Sequence, residues 1–293
     1  MSDQPSIYIF GEVLFDHFPD GNQVLGGAPF NVAWHLQAFG QSPRIVSRVG
    51  RDAEGAQVRA AMEEWGLATD DLQTDPVRPT GQVAVSFDDG EPCYDIVADC
   101  AYDNIEPITA APCQLLYHGS LAARSASSAR ALQQLRASGP QTIFVDVNLR
   151  PPWWQTGAVQ ELLQGAHWVK LNSDELALLA GNATSADPES DFLQRYALRG
   201  LLVTHGARGA ELLLADGERL QVAPMANNEV VDTVGAGDAF AAVVLLGLLN
   251  DWAMPVVLER AQQFAGALVG RRGATVNDRE FYRKFSRQWQ LTD

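Results

Sequence analysis

The segment best equipped for chemistry is Val230-Val231-Asp232-Thr233-Val234-Gly235-Ala236-Gly237-Asp238-Ala239-Phe240, which runs straight into an apolar stretch of helical length ending near Leu249. It predicts a helix with two glycines at its N-terminus. Unpaired amides and the positive dipole end of such a terminus bind anions, and the missing side chains of Gly235 and Gly237 let a phosphoryl group approach the backbone. Asp238 then lies beside that anion, where like charges repel. General-base chemistry on an attacking hydroxyl gives the carboxylate a reason to be there. Asp232, Thr233 or Asp238 would serve equally as a helix cap, and on this segment alone both readings stand.

A second segment, Leu25-Gly26-Gly27-Ala28-Pro29-Phe30-Asn31, places paired glycines before a helix with Pro29 near its first position. Backbone is exposed there, and Asn31 and the upstream Asp16 carry short groups suited to reading the hydroxyls of a sugar. An ordinary turn and helix start would use the same residues. Neither G-x-G-x-x-G nor G-x-x-x-x-G-K-[ST] occurs, and H-E-x-x-H and G-x-S-x-G are absent too, which counts against hydride transfer, zinc proteolysis and serine hydrolysis. His17, His35, His118, His167 and His205 lack metal-ligand spacing and read as structural. Cys93, Cys100 and Cys113 fit no zinc or redox motif and are expected to pack as small apolar residues.

The elements that must position these residues follow a βαβ rhythm. Ile7-Tyr8-Ile9-Phe10, Thr142-Ile143-Phe144-Val145 and Leu201-Leu202-Val203 read as strands between longer segments of helical period, which predicts an α/β, doubly wound, mainly parallel sheet flanked by helices. One helix after Pro29 carries Phe30, Val32, Ala33, Leu36 and Phe39 and stops at Gly40. Another starts near Asp52, carries Ala56, Ala60, Ala61 and Trp65, and stops at Gly66. Gly11 and Glu12, Gly50, Gly119 and Ser120, Asn148, Asn172 and Gly206 each fall at the end of a strand, so they should converge on one crevice at the carboxyl edge of the sheet. Val13 to Gly27 and Thr80 to Asp103, the latter with a turn at Asp88-Asp89-Gly90, break the rhythm as short antiparallel strands, either an edge extension or a lid. No repeat or linker divides residues 1–293, so a single domain is expected.

With 46% hydrophobic and 19% charged residues the chain is an ordinary globular one, and its net charge of −15 argues against non-specific binding to nucleic acid or an anionic membrane. Lys170 and Lys284 are the only lysines, so a bound phosphate is expected to fall to Arg, backbone amides or a metal. The first ten residues lack a basic-then-apolar leader, and the run Ala239 to Leu249 is too short to span a bilayer; a cytoplasmic location is expected.

With these segments in view, the chain resembles the ribokinase-like (PfkB) carbohydrate kinases over nearly its whole length. Asp232 to Asp238 matches the C-terminal signature of that family. Gly26-Gly27 through Asn31, followed by Arg48-Val49-Gly50-Arg51-Asp52-Ala53-Glu54-Gly55, matches the N-terminal one. The resemblance implies ATP-dependent phosphorylation of a sugar hydroxyl. It makes Asp238 the base and the amides of Gly235, Ala236 and Gly237 the anion hole, while Asp16, Gly26, Gly27, Asn31 and the lid residue Tyr94 hold the sugar and Arg150 contacts phosphate or sugar. Asn172 and Glu175, in an Asn-x-x-Glu element, would lie near Mg²⁺, Glu175 acting through water. Thr204, Gly206 and Gly209 would line the nucleotide phosphates. Gly273 belongs to the loop beneath adenine, with a monovalent cation such as K⁺ near Asp232. Residues 13–27 and 80–103 correspond to the lid of the family.

Gly26-Gly27-Ala28-Pro29 reads more like fructokinases than ribokinase, which makes fructose to fructose 6-phosphate the leading reaction. Phe30, His205 and the lid segment Pro92 to Ile96 depart from the fructokinase pattern. A kinase for 2-keto-3-deoxygluconate, ribose or a nucleoside stays open as an alternative, as does a non-catalytic sugar or nucleotide sensor. An exposed lid edge strand also suggests a homodimer formed through the lids.

Overall fold

Residues 7–88, 91–181, 186–224 and 230–291 are described by a computed structural model. The turn residues Asp89 and Gly90, and the side chains of Pro92 and Cys93, lie outside the described residues.

Four strands begin the story: β1 (Ile7–Phe10), β2 (Leu14–His17), β3 (Gln23–Gly26) and, after helix α1 (Ala28–Ala38), β4 (Pro43–Gly50). Helix α2 (Ala53–Trp65) leads to β5 (Leu72–Asp75), β6 (Gly81–Asp88) and β7 (Glu91–Ile96). The chain then alternates regularly through β8 (Leu115–His118), α3 (Ala126–Ala137), β9 (Thr142–Asp146), α4 (Thr156–Leu163), β10 (Trp168–Asn172), α5 (Ser173–Ala180), α6 (Pro188–Arg195) and β11 (Gly200–Thr204). Strands β12 (Ala210–Leu214) and β13 (Arg219–Val222) and helices α7 (Ala236–Leu249), α8 (Met254–Val269) and α9 (Arg279–Trp289) complete it.

The large sheet has the order β13-β12-β11-β10-β9-β8-β1-β4-β5. It is parallel from β11 to β5, with β12 and β13 added antiparallel at one edge. From β1 the chain winds outward through β4 and β5, then returns to β8 on the other side and winds the opposite way. The reversal puts a crevice at the carboxyl ends of β1 and β8, where open α/β sheets bind ligands.

Strand alternation divides the core between the two faces. Ile7 and Ile9, with Tyr117, Phe144 and Trp168, face α1, α2, α7, α8 and α9, whereas Val145, Val169 and Leu171 face α4, α5 and α6. Tyr8, Phe10 and Leu116 pack on α3. Helix α7 is apolar all round and buried from Ala239 to Gly247, so its position is set by packing on every side.

In α2, Asp52 is the N-cap and Gly66 the left-handed C-cap, as the sequence predicts, but the inward face is different. Gly55, Val58, Met62 and Trp65 are buried, whereas Ala56 and Ala60 are exposed. Small alanines carry little apolar area, and the larger Val58, Met62 and Trp65 decide which way the helix turns.

Strands β3-β2-β6-β7 form a separate small sheet. Both of its hairpins are antiparallel, and the junction between β2 and β6 is parallel. Asp52 sets where this sheet joins the body. Its carboxylate accepts from Gly55 N at 2.7 Å as a cap and also from the hydroxyl and amide of Thr80 at 2.6 and 2.8 Å. A Cβ at Gly50 would lie 2.3 Å from Asp52 Oδ2, and one at Gly55 would lie 2.2 Å from the Gly50 carbonyl. The glycines of the Arg48–Gly55 run thus make room for a clamp at the root of β6.

Candidate active site

Asp238 stands in the first turn of α7, three residues after the N-cap Gly235. Gly235 has φ +77°, and a Cβ there would lie 2.4 Å from that of Ala274, so glycine is required both by conformation and by space. Ala274 is held in turn by His35, whose Nε2 donates to its carbonyl at 3.1 Å while Nδ1 accepts from the Tyr282 hydroxyl at 3.0 Å. Burial lowers His35 to about 3, so it remains a neutral structural residue. Asp232 joins the two loops at the site, accepting from Val234 N at 3.0 Å and from Gly273 N at 2.9 Å.

The two glycine-bearing segments meet directly. Asn31 Nδ2 donates to Asp238 Oδ2 at 2.8 Å across 207 positions of sequence, because α1 packs alongside α7. An added Cβ on Gly26 would lie 3.9 Å from both Asn31 Oδ1 and Asp16 Oδ2, so these three residues border one space. A Cβ on Gly27, at φ +107°, would lie 2.6 Å from the Glu12 carbonyl. The glycine therefore lets the loop after β3 lie against the loop after β1.

The electrostatics are those of a crowded acidic floor. Burial raises Asp238 to about 6, with Asp146 adding to the rise and the Asn31 bond, Lys170 and Arg150 opposing it. Burial raises Asp16 to about 6 and Glu12 to about 7, both countered in part by Arg150. Tyr94, on β7 and half exposed, lies within the fields of Asp16, Asp232 and Arg150 and so extends over the same crevice.

Asn172 and Glu175 form a reciprocal capping box: Asn172 Oδ1 accepts from Glu175 N and Glu175 Oε2 from Asn172 N, each at 2.8 Å. Glu175 Oε1 accepts from Leu149 N at 2.7 Å, which ties the start of α5 to the loop bearing Arg150. Both Glu175 oxygens are thus engaged by backbone, and among the described residues no three His, Cys, Asp or Glu side chains gather as a metal cage. That arrangement fits an ion carried by phosphate and water, with Glu175 reaching its waters rather than the ion itself.

Thr204 ends β11, and its hydroxyl lies 3.5 Å from the Leu171 carbonyl. Gly206 and Gly209 shape the turn into β12, and a Cβ on Gly209 would strike the Val222 carbonyl of β13 at 2.0 Å. The requirement for glycine at 209 is therefore met within the sheet edge itself. A cavity of about 920 Å³ opens behind the β2-β3 hairpin, between Phe15, Leu25, Phe30 and Trp34 on one side and Arg272 and Gly273 on the other. None of Asp16, Asn31 or Asp238 lines it. The α7 terminus and the carboxyl groups of Asp16 and Asp238 converge instead on the crevice.

Sequence reasoning passed over three groups here. Glu12 is marked in the sequence only as a residue following a strand, and Asp146 and Lys170 belong to no local motif that pairs them. Lys170 Nζ donates to both carboxylate oxygens of Asp146 at 2.8 and 2.9 Å, and Tyr117 OH donates to Asp146 Oδ2 at 3.2 Å.

The pfkB family carbohydrate kinase model matches residues 5–280. The chain belongs to that family. The fructokinase of Klebsiella pneumoniae is 30% identical, the match covering 83% of this chain and 84% of that protein. The fructokinase of Escherichia coli is 28% identical over 92% of this chain and 94% of that protein. Among solved structures, a double mutant of the Vibrio cholerae fructokinase holding fructose, ADP and a potassium ion aligns with a TM-score of 0.79 at 25% identity, over 94% of this chain and 95% of that one. The aminoimidazole riboside kinase of Salmonella enterica aligns at 0.81 and 21% identity, over 96% and 99%. The ribokinase-like fold is thereby shown, and the small sheet is part of it.

Proposed function

We propose that this pfkB-family kinase transfers the γ-phosphoryl group of ATP to fructose, giving fructose 6-phosphate. The observation that carries the reading is Asp238 at the N-terminus of α7, bonded to Asn31 on the glycine-rich segment. A hydroxyl bound between Asp16, Gly26, Gly27 and Asn31 lies beside a carboxylate that is ionised at neutral pH. As its oxygen bonds to the γ-phosphorus, the bond from phosphorus to the β–γ bridging oxygen breaks, the electron pair leaves with ADP, and the hydroxyl proton passes to Asp238. Amides of Gly235, Ala236 and Gly237 meet the charge on the phosphoryl oxygens. Mg²⁺, when bound, shields the nucleotide phosphates, with Glu175 and Asn172 at its waters and Thr204, Gly206 and Gly209 along the nucleotide. Gly273 would underlie adenine, and K⁺ would sit by Asp232, whose carboxylate already ties both loops. Tyr94 and Arg150 complete the acceptor side.

Support for fructose comes from the fructokinases to which the chain is similar. Arg150 favours a second reading, because it is exposed, stands in the field of Asp16 on the acceptor side, and would suit the carboxylate of 2-keto-3-deoxygluconate. Coupled ADP release with MgATP against fructose, ribose, glucose, mannose, 2-keto-3-deoxygluconate and adenosine, with and without K⁺, decides between them. Strong turnover on fructose alone is expected. Turnover on another acceptor only would replace the substrate, and turnover on none would overturn fructose and leave an acceptor outside this set or a non-catalytic sensor.

A further inference from the structure

The Asp146–Lys170 pair is costly for its position. The residues sit directly opposite each other on β9 and β10, one step beyond the apolar pair Phe144 and Trp168 on the same face of the sheet. Both are buried. A buried ion pair seldom outperforms apolar residues of the same volume, so stability alone does not explain it. Burial works against the Lys170 charge, yet the Asp146 carboxylate holds the ammonium above its usual range, so it is a fixed cation.

The ammonium also borders open space. Gly237 is exposed, and a Cβ built on it would lie 3.5 Å from Lys170 Nζ, with no other atom of the described residues within 4 Å apart from its chain neighbours and the backbone of α7. Among the described residues the ammonium bonds only Asp146, although it carries three donors. A group lodged against the Gly235–Gly237 backbone would therefore meet a buried cation from below.

We propose that Lys170 is a further catalytic residue, its ammonium held in place by Asp146 and donating to a non-bridging oxygen of the phosphoryl group in transfer. The proposal rests on the reading of the α7 N-terminus as the phosphoryl cradle. Lys170 keeps its protons throughout, and its work is to meet negative charge where water is excluded. Asp146 is a positioning residue, fixing the cation at a distance set by strand register.

The test compares the parent chain, Lys170→Met and the double variant Asp146→Asn/Lys170→Met, each checked for folding by circular dichroism. Lys170→Met leaves the Asp146 carboxylate without its cation and can lose the fold, whereas the double variant removes both charges of the pair. Titration calorimetry with Mg²⁺ gives the affinity for the ATP analogue AMP-PNP relative to ADP, and steady-state kinetics give kcat and KM. In the folded double variant the AMP-PNP preference is expected to fall by about tenfold or more, with kcat down roughly 10²–10³-fold and the acceptor KM changed by less than about threefold. An unchanged AMP-PNP to ADP ratio, or a double variant within about tenfold of parental kcat, overturns the proposal. The nucleotide ratio needs no acceptor, so a wrong sugar sinks only the fructose reading. A parent chain that binds neither nucleotide removes the cradle and this proposal together.

Discussion

At the residue scale the site depends on keeping carboxyl groups poised rather than permanently charged. Asp238 must be ionised to accept a proton, and its folded value of about 6 against 3.8 places the change just below neutrality. We expect kcat to rise with pH through about 6 and then level. Asn31→Ala removes a bond that favours the ionised form, so the rise should move to higher pH; a rise that stays put would show that Asn31 does not tune the base. Asp238→Asn should lower kcat by about 10²–10⁴-fold while sugar binding, measured by calorimetry, persists. The same group affects stability. A carboxyl raised by folding contributes stability below about pH 4 that is lost as pH rises through about 6. Asp238→Asn should therefore melt higher than the parent at pH 8, by the equivalent of at most about 3 kcal/mol, and show no such gain at pH 4. Equal melting temperatures at pH 8 would place little cost on the buried charge.

At the element scale, the small sheet is attached through α2. Asp52 clamps Thr80 at its root, and on its face His17 contacts Glu54 at 3.0 Å, Gln82 bonds Glu54 at 2.9 Å and Gln23 bonds Gln57 at 3.0 Å. One helix thus carries both its own cap and the contacts that hold the small sheet. Asp52→Ala removes a cap worth about 1–2 kcal/mol together with the Thr80 bonds. The expected result is a melting temperature several degrees lower and an acceptor KM raised by more than the ATP KM. A lowered melting temperature with an unaltered acceptor KM would show that the clamp acts on stability and not on acceptor binding.

For the whole molecule, the small sheet ends in edge strands β3 and β7, and Val24 and Tyr94 stand exposed on them at 41% and 51%. Unpaired strand edges are templates for pairing with a second chain, and we propose that two copies of this one pair through them. Light scattering is expected to report about twice 31.8 kDa for the protein in solution. A monomer mass at assay concentration would overturn the dimer. Among the described residues no helix is long and apolar enough to cross a membrane.

What could be read in the sequence was whatever lies close together along it. The strand-helix alternation, the helix start at Asp52 and its stop at Gly66, and the run from Asp232 to Asp238 each express local period, capping or the special freedom of glycine. Those features, with the family resemblance, were enough to nominate Asp16, Asn31 and Asp238. The inward face of α2 was not legible, because several apolar stripes share a helix and packing chooses among them. Strand register and helix packing decided the rest. Asn31 reaches Asp238 only because α1 lies along α7, and Lys170 faces Asp146 only because β10 pairs with β9 in one register. A one-residue slip of β10 against β9 would turn Lys170 to the opposite face of the sheet. Contacts between residues 24 or 207 positions apart are fixed by the free energy of the whole packed sheet, which no local pattern encodes.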